Sequence, residues 1–298
     1  MKSGFVALIG RPNAGKSTLL NALLNNKIAI ISKKAGTTRN AIKGILNSSD
    51  KQIIFIDTPG IHKPKHQLGS SMNKTAMNEA KGVDVVYLIV DAKEKFNTGD
   101  QYLIQYLNSI KTPVFLILNK VDLLSIEEVY KKIVEYKDLY DFKEIFPLSA
   151  LKDNDFNSLV DNTCKFFNDD TLYYPSTQMT DYPEQFIISE IIREKVLLFT
   201  EEEVPHSVAV VIEKMGYKKN NLFIQAMILV ERDSQKGIII GKKGQMIKKL
   251  GQTAREELEE LFGNKIYLEI FVRVEKDWRN KQAKLKELGY VEVFNLDE

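Results

Sequence analysis

The feature that most constrains this chain is the run Gly-Arg-Pro-Asn-Ala-Gly-Lys-Ser at residues 10–17. An apolar segment precedes it at 5–9, and residues 18–24 have the pattern of a helix. Two glycines with four residues between them, followed by Lys-Ser between a strand and a helix, are typical of a phosphate-binding P-loop. The N–H groups of such a loop and the helix N-terminus face one concavity that favours an anion. For this run alone, an ordinary glycine-rich turn is the alternative.

Length and composition set the limits of the fold. A chain of 298 residues suggests two domains, and its 44% hydrophobic and 28% charged content fits a globular protein. The net charge of +2 excludes a protein that coats nucleic acid indiscriminately, so any nucleic-acid site must be a local patch. With Cys164 as the single cysteine and no apolar run of membrane-spanning length, we expect a cytoplasmic protein without an export signal.

The first half of the chain alternates short apolar runs with helical patterns. Buried strands are predicted at 5–9, 53–56, 85–90, 114–118 and 145–148, with helices between them, for example at 99–108 and 125–140. Continuous apolar strands that alternate with helices predict an α/β fold with a mostly parallel sheet covered on both faces. Ligands of such sheets bind beyond the carboxyl ends of the strands.

Polar motifs follow these strands and predict a nucleotide site. In the P-loop, Lys16 can reach the outer phosphates and the Ser17 hydroxyl can bind Mg²⁺. The loop at 33–39 contains two threonines, and we favour Thr38 over Thr37 as another Mg²⁺ ligand, although spacing alone leaves both open. Asp57 ends a buried strand, where it can hold Mg²⁺ through water, and the Gly60 N–H can meet the terminal phosphate. Loss of that phosphate would release both loops.

A second set of residues predicts which base is bound. Asn119-Lys120-Val121-Asp122 follows the strand at 114–118. The Asp122 carboxylate can accept paired hydrogen bonds from guanine that adenine cannot donate, so the site should reject adenine strongly. Asn119 can bond the other edge of the base, the Lys120 stem can pack over its rings, and Ser149 and Ala150 can supply backbone contacts. The set predicts GTP rather than ATP.

The residue after Gly60 is Ile61, whereas some GTPases place a water-orienting Gln near this point. Ile61 cannot orient water, so we expect slow intrinsic hydrolysis or help from another group. Asn13 is a candidate, because its carbonyl oxygen can help hold a K⁺ ion; a purely loop-shaping role is the equal alternative. We interpret His62 and His66 as solvated residues rather than catalytic bases.

The pattern changes near residue 175, where prolines and turn formers predict a linker. A helix is predicted at 184–199, strands at 207–214 and 222–230, an Ile-rich strand at 237–240, helices at 245–250 and 253–262, a strand at 265–274 and a helix at 277–288. Gly241-Lys242-Lys243-Gly244 stands within this order. The order suits a KH domain of type II, whose Gly-x-x-Gly loop lets single-stranded RNA approach closely.

Several longer runs are similar to those of the Era family of bacterial GTPases, over essentially the whole chain. They are found at 57–64, 68–69 with 72–73, 193–195, 202–207, 240–244 and 276–279. The resemblance implies GTP and Mg²⁺ binding, K⁺ use in some members, and KH-domain binding to the 3′ end of small-subunit ribosomal RNA. It also implies release from the maturing 30S subunit upon hydrolysis and, for some members, weak peripheral association with the inner membrane.

These patterns and the resemblance together predict a GTPase domain at 1–174, a linker at 175–183, and a KH domain with a C-terminal helix and tail at 184–298. The expected protein is a monomeric, GTP-hydrolysing switch in ribosome biogenesis; a GTPase acting on another structured RNA or ribonucleoprotein is the alternative. Its predicted catalytic residues are Lys16, Thr38 and Gly60. Its predicted metal ligands are Ser17, Thr38 and Asp57 for Mg²⁺, and Asn13 for K⁺. Its predicted GTP-binding residues are Gly10, Arg11, Pro12, Asn13, Ala14, Gly15, Lys16, Ser17, Thr18, Asp57, Thr58, Pro59, Gly60, Asn119, Lys120, Asp122, Ser149 and Ala150. Its predicted RNA-binding residues are Ile240, Gly241, Lys242, Lys243, Gly244 and Lys248.

Overall fold

The structure is a computed structural model that describes residues 1–219 and 221–291 of the chain. Asn220, between the strands predicted at 207–214 and 222–230, and residues 292–298 at the end of the predicted KH domain and tail lie outside the described residues. The chain divides into two compact units. The first contains Met1–Ile31, Thr38–Lys65 and Gly69–Asp181, and the second contains Ser32–Thr37, His66–Leu68 and the chain from Tyr182 onward. The domain limits given above stay a prediction.

The first unit is built on a six-stranded sheet with the strand order β2-β3-β1-β4-β5-β6. Its strands are β1 (Lys2–Gly10), β2 (Ile42–Asn47), β3 (Lys51–Asp57), β4 (Val85–Asp91), β5 (Val114–Asn119) and β6 (Glu144–Leu148). All neighbours pair in parallel except β2, which runs antiparallel to β3. The predicted α/β fold with a mostly parallel sheet is confirmed, and all five predicted strands are present.

Strand β2 is absent from the sequence-based prediction. It reads Ile-Lys-Gly-Ile-Leu-Asn and is only partly buried, so it lacks the continuous apolar run of a central strand. Gly44 allows a helix to pack closely here, because a Cβ at this position would lie 2.4 Å from Leu24 Cδ1 and 2.8 Å from Leu20 Cδ1. Packing against the helix therefore outweighs the low strand preference of glycine.

Helices cover both faces of this sheet. They are α1 (Lys16–Leu24), α2 (Gln67–Glu79), α3 (Thr98–Leu107), α4 (Ile126–Lys137) and α5 (Asn157–Cys164). Ala76 of α2, Leu107 of α3 and Tyr136 of α4 share one buried cluster with β1, β4 and β5. Helix α5 is joined to β4 by a hydrogen bond of 2.5 Å between Tyr87 Oη and Thr163 Oγ1. The covered sheet is a rigid base for the loops at its edge.

Local capping fixes where the helices begin. At α4, Ser125 Oγ accepts a hydrogen bond from the Glu128 N–H at 3.3 Å, and the Ser125 N–H donates to Glu128 Oε2 at 2.8 Å. This capping box satisfies two N–H groups that the first turn leaves unpaired. The predicted helices at 99–108 and 125–140 are thereby confirmed, with ends that differ by one to three residues.

The second unit combines a three-stranded sheet, in the order β7-β8-β9, with helices. Its elements are α6 (Glu184–Phe199), β7 (Ala209–Lys218), β8 (Asn221–Val230), α7 (Asp233–Ile240), α8 (Gln245–Phe262), β9 (Lys265–Val274) and α9 (Gln282–Glu287). β7 pairs antiparallel and β9 parallel with β8. Ile192 of α6 and Ala254 of α8 are buried with the inner face of the sheet. Among the described helices, none is long and apolar enough to span a membrane.

The prediction of a strand at 237–240 is wrong, since these residues are the end of α7. Gln235 explains the difference: its Oε1 accepts hydrogen bonds from the N–H groups of Glu231 and Arg232, which starts a helix. Ile239 is then fully buried in the core. Tertiary packing therefore overrides the strand preference of the Ile run.

Two predicted helix boundaries also change. The helices predicted at 245–250 and 253–262 form the single helix α8, which continues through Gly251. The helix predicted at 277–288 is divided into a 3-10 turn at Trp278–Asn280 and α9. Trp278 is fully buried and its Nε1–H donates to the Ser207 carbonyl at 2.8 Å, so the turn is fixed by tertiary contact.

Candidate functional site

The predicted nucleotide-binding residues of the first unit follow the carboxyl ends of parallel strands. The register aligns the strand ends, with Leu8 opposite Asp57, Gly10 opposite Ile89, and Asp91 opposite Asn119. Because parallel strands all end at the same edge of a sheet, their following loops meet there. The structure therefore collects the P-loop, the Asp57 loop and the Asn119 loop at one edge.

The P-loop conformation depends on its glycines. Gly15 has a φ of 97°, and a Cβ at this position would lie 2.1 Å from Asn119 Nδ2. At Gly10 a Cβ would lie 2.3 Å from the Ile89 carbonyl oxygen. Helix α1 begins directly afterwards at Lys16, and Thr18 lies in its first turn. The backbone therefore turns into a helix N-terminus, an arrangement that can bind phosphate.

The Lys16 ammonium group is buried within this loop. Its Nζ donates to the carbonyl oxygens of Gly10 at 3.2 Å and Arg11 at 3.0 Å. Burial lowers the pKa of Lys16 to about 8, against the opposing effect of the negative charge on Asp57. A phosphate oxygen would be a stronger partner than either carbonyl, because hydrogen bonds between ionised groups are roughly twice as strong.

Asp57 gathers two hydroxyl groups at the end of β3. Ser17 Oγ lies 2.6 Å and Thr38 Oγ1 lies 3.1 Å from Asp57 Oδ2, and the hydroxyls are 2.8 Å apart. Burial raises the pKa of Asp57 to about 6, while Lys16 and the two hydroxyls oppose the rise. Within the described residues, Asp57 Oδ1 is buried without a hydrogen-bond partner. The Thr37 hydroxyl donates instead to the Lys34 carbonyl at 2.7 Å.

This donor set fits Mg²⁺. The ion prefers hard oxygen ligands and commonly uses one carboxylate with hydroxyls, waters and substrate phosphates. Ser17, Thr38 and Asp57 present such oxygens at one point, and the buried, unpartnered Asp57 Oδ1 adds acceptor capacity there.

The segment after Asp57 is fastened to the P-loop. The Ile61 N–H donates to the Gly10 carbonyl at 3.1 Å. A Cβ at Gly60 would lie 2.7 Å from Pro12 Cα, so only glycine permits this approach. The Ile61 side chain is 2% exposed and belongs to the hydrophobic core. As expected from its chemistry, Ile61 is therefore not available to orient a water molecule.

The interpretation of His62 and His66 as solvated residues rather than catalytic bases stays a prediction, although solvent reaches His62 only in part. Its side chain is half-buried, and Nδ1 lies 2.9 Å from the Gly60 carbonyl oxygen. Asn73 on α2 bonds both backbone groups of His62, accepting from its N–H at 3.3 Å and donating to its carbonyl at 2.7 Å. Asn73 belongs to no recognised GTPase motif, and the similarity of residues 72–73 to the Era family is the sequence signal that marks it.

Asn119 braces the loops around the predicted base site. Its Nδ2 donates to the Ala14 carbonyl at 2.8 Å, and its Oδ1 accepts from the N–H groups of Ala150 at 2.9 Å and Lys120 at 2.8 Å. An amide nitrogen carries two hydrogens, so the bond to Ala14 leaves one for a ligand. Asn119 can thus support the P-loop with one amide hydrogen and contact a base with the other at the same time.

The neighbouring residues present the other groups expected of a guanine site. Lys120 has a φ of 66°, and its Nζ donates to Asp91 Oδ2 at 2.5 Å and to the Asn13 carbonyl at 2.8 Å. This fixes its aliphatic stem across the edge of the sheet. Asp122 is exposed in a 3-10 turn, where its carboxylate can accept hydrogen bonds from a base. Ser149 is buried next to Ala150, after β6.

In the second unit, the Gly-x-x-Gly run forms a tight turn between α7 and α8. Gly241 and Gly244 have φ values of 72° and 74°, and Lys243 has a φ of 52°. A Cβ at Gly241 would lie 2.6 Å from Met246 Cβ, so a side chain would be strained and crowded there. Lys242, Lys243 and also Lys248 in α8 are exposed, whereas Ile240 at the end of α7 is half-buried. The turn presents cations beside open backbone.

Comparison with known proteins agrees with both units. Residues 5–120 match the family model of 50S ribosome-binding GTPases, and residues 203–279 match the KH-domain model. A crystal structure of an Era variant from Aquifex aeolicus bound to GDP and AlF₄⁻ is 40% identical, with a TM-score of 0.94. The alignment covers 98% of this chain and all of that one. The same values hold for Era in complex with MgGDPNP and nucleotides 1506–1542 of 16S ribosomal RNA.

Proposed function

The chain belongs to the Era family of GTPases, and from this we propose that it couples GTP hydrolysis to the binding of small-subunit ribosomal RNA. Membership rests on 40% identity across 98% of the chain, together with the GTPase and KH family models. The chain is therefore a GTPase with a KH domain. Our proposal concerns the roles of its residues, the RNA that it holds and the process in which it acts.

The convergence of Ser17, Thr38 and Asp57 is the observation that carries the proposal. These groups come from α1, from the loop before β2 and from the end of β3. We propose that the P-loop at 10–18 holds the phosphates and that Lys16 neutralises their charge. Because Thr38 and Gly60 lie in loops, their contacts to the γ-phosphate would be lost upon hydrolysis, which makes the two loops a switch.

We assign the Mg²⁺ site to Ser17 and Thr38 as direct ligands and to Asp57 as a ligand through water. When bound, Mg²⁺ supplies positive charge to the β- and γ-phosphates. The protein orients the phosphates and excludes bulk water, and Lys16 and the Gly60 N–H stabilise charge as the γ-phosphoryl group departs. Because Ile61 is buried, the attacking water is positioned by another group.

For guanine we propose that Asp122 accepts hydrogen bonds from the ring N–H and the exocyclic amine, and that Asn119 donates to the opposite edge. The aliphatic stem of Lys120 packs over the rings of the base. Ala150 and Ser149 close the site with backbone groups. Asp122 is exposed while Asn119 is buried and braced. Asp122 can therefore exchange water for a base without a change in the fold, and we propose it as the residue that selects the base.

A K⁺ ligand role for Asn13 also belongs to the proposal. Asn13 is exposed on the P-loop with a φ of 63°, and its backbone carbonyl accepts from Lys120. Asparagine tolerates this left-handed conformation better than most residues, which supports the loop-shaping alternative equally. A substitution that keeps the backbone and removes the side chain separates the two roles.

For the KH unit we propose that RNA lies along the Gly-x-x-Gly turn at 241–244 and Lys248, with Ile240 beside the bases. The related Era structure contains nucleotides of 16S ribosomal RNA, and we propose the 3′ end of that RNA as the ligand here. The setting is assembly of the 30S subunit in the cytoplasm, with the protein as a monomer. Weak peripheral binding to the inner membrane is a further family-based prediction, testable by vesicle sedimentation.

The RNA assignment is tested by substitution of both turn lysines. Lys242→Asp with Lys243→Asp should reduce affinity for a 3′-end oligonucleotide at least about tenfold, because two cation contacts become repulsive. GDP affinity should be unchanged. The matched control is Lys214→Asp with Lys218→Asp, two exposed lysines of β7. An equal loss of RNA affinity in both double variants would indicate general charge attraction and contradict the proposed RNA site at the 241–244 turn.

A further inference from the structure

The segment from Gly60 to His62 is held by hydrogen bonds from two side chains, those of His62 and Asn73, to which the proposed nucleotide site assigns no role. His62 Nδ1 lies 2.9 Å from the Gly60 carbonyl oxygen. A carbonyl oxygen only accepts hydrogen bonds, so Nδ1 must carry the proton. The imidazole thereby ties its own side chain to the peptide unit two residues earlier. The Gly60 carbonyl is thus restrained by the chain that follows it.

Asn73 holds the same segment from α2. Its Nδ2 donates to the His62 carbonyl at 2.7 Å, and its Oδ1 accepts from the His62 N–H at 3.3 Å. One amide side chain therefore satisfies both backbone groups of His62, as a neighbouring strand would. Asn73 is itself fixed, since its neighbour Met72 is 4% exposed and Ala76, one turn later, is fully buried.

These contacts matter because Ile61 lies between the two clamped residues. The Ile61 N–H is bonded to the Gly10 carbonyl, and its side chain is in the core. No side chain at position 61 can therefore align the reacting groups. The alignment of the reacting groups must therefore depend on the backbone of residues 60–62. Gly10 fixes the position of this backbone on one side, and His62 and Asn73 fix it on the other.

We propose that Asn73, together with His62, is a positioning residue for GTP hydrolysis. It holds the 60–62 backbone so that the Gly60 N–H keeps the place from which it stabilises the departing γ-phosphoryl group. The inference rests on the proposed role of Gly60. The two side-chain hydrogen bonds of Asn73 go to the backbone of His62 and not to a residue proposed to bind the nucleotide or Mg²⁺, so Asn73 should affect the rate of hydrolysis and not the affinity for GDP.

The first test compares Asn73→Ala with Asn78→Ala, an exposed asparagine of the same helix. In single-turnover assays, Asn73→Ala should hydrolyse GTP about tenfold to a hundredfold more slowly, because misplaced groups lose transition-state stabilisation. Its GDP affinity should stay within twofold of the wild type. Its affinity for GDP with aluminium fluoride should fall as much as the rate. Asn78→Ala should match the wild type in all three measurements.

A second pair of variants avoids helix α2. His62→Asn keeps a donor near the position of Nδ1, whereas His62→Asp places an acceptor against the Gly60 carbonyl. We expect near-normal hydrolysis for His62→Asn and a loss like that of Asn73→Ala for His62→Asp. This pair decides the question if Asn73→Ala does not fold, and Asn73→Asp, which places an acceptor against the His62 carbonyl, should also slow hydrolysis.

A rate within twofold of the wild type in Asn73→Ala and His62→Asp would overturn the inference. A parallel loss of GDP affinity and of unfolding midpoint would also overturn it, because the clamp would then be structural only. The variant Gly60→Ala tests the proposed role of Gly60 separately from the inference about Asn73. If that variant hydrolyses GTP normally while Asn73→Ala is slow, the role of Gly60 is wrong and Asn73 acts on another group.

Discussion

Ser17 and Asp57 lie side by side although 40 residues separate them, with Ser17 Oγ donating a 2.6 Å hydrogen bond to Asp57 Oδ2. Ser17 is placed by the start of α1 and Asp57 by the end of β3, and the parallel pairing of β1 with β3 brings both to the same edge. Burial raises the pKa of Asp57 to about 6. A carboxylate so deeply buried needs positive charge, which Lys16 and Mg²⁺ can provide.

The two threonines of the loop before β2 should differ in function. Thr38 contacts Ser17 and Asp57, whereas Thr37 contacts the Lys34 carbonyl. We expect Thr38→Ala to slow Mg²⁺-dependent GTP hydrolysis at least about tenfold through loss of transition-state stabilisation, and Thr37→Ala to stay within about twofold. Single-turnover rates across a Mg²⁺ titration measure both. A larger effect of Thr37→Ala would reverse the assignment.

Gly15 should tolerate no side chain. Its φ of 97° and the 2.1 Å approach to Asn119 Nδ2 mean that Gly15→Ala strains the backbone and displaces Asn119. We expect a loss of about 2 kcal/mol in stability and at least a tenfold loss in GDP affinity. Gly82→Ala is the control, because a Cβ at Gly82 would meet nothing within 4 Å. Urea unfolding and nucleotide titration give both quantities; equal behaviour of the variants would contradict the account.

Base selection should depend on one carboxylate. Asp122→Asn replaces one of the two acceptor oxygens for guanine's paired donors by a donor NH₂ group, so GTP affinity should fall about a hundredfold while affinity for xanthosine triphosphate rises. Competition between the two nucleotides for a fluorescent analogue measures the preference. Retention of the original GTP preference would show that another residue selects the base. Glu127→Gln, an exposed charge change in α4, serves as the control.

Substitutions at Asn13 distinguish a K⁺ ligand from a loop-shaping residue. Glycine keeps the left-handed backbone at a φ of 63° and removes the amide, whereas alanine removes the amide and strains the loop. If Asn13 binds K⁺, acceleration of hydrolysis by K⁺ over Na⁺ should disappear in Asn13→Gly while GDP affinity is retained. Normal K⁺ dependence in Asn13→Gly, with weak GDP binding only in Asn13→Ala, would assign a loop-shaping role.

The sequence predicts well those parts whose signals are local. The five predicted strands of the first unit, α6 and β9 have continuous apolar or periodic patterns, and the phosphate and guanine motifs have fixed spacing after strands. The edge strand β2 is not predicted, because it lacks a continuous apolar run and contains Gly44, whose missing side chain lets α1 pack closely. The Ile run at 237–240 is misread, because the start of α7 depends on hydrogen bonds that the preceding backbone donates to the Gln235 side chain.

The hydrogen bonds by which His62 and Asn73 hold the 60–62 segment show a second kind of feature that the sequence does not predict. Asn73 and His62 are ordinary polar residues, eleven positions apart, and no spacing rule connects them. Their contact arises because α2 packs with its Ala76 side against the sheet, which turns Asn73 toward the loop. A side chain that bonds backbone across a tertiary contact gives no periodic signal, so only the folded structure reveals it.

The most direct test of the proposed coupling is the single-turnover GTPase rate with and without an oligonucleotide that copies the 3′ end of small-subunit ribosomal RNA. A scrambled oligonucleotide and the Lys242→Asp, Lys243→Asp double variant are the controls. We predict that the native RNA accelerates hydrolysis in the wild type and neither control shows acceleration. An unchanged rate, despite saturating binding of the native RNA, would contradict the coupling of hydrolysis to this RNA.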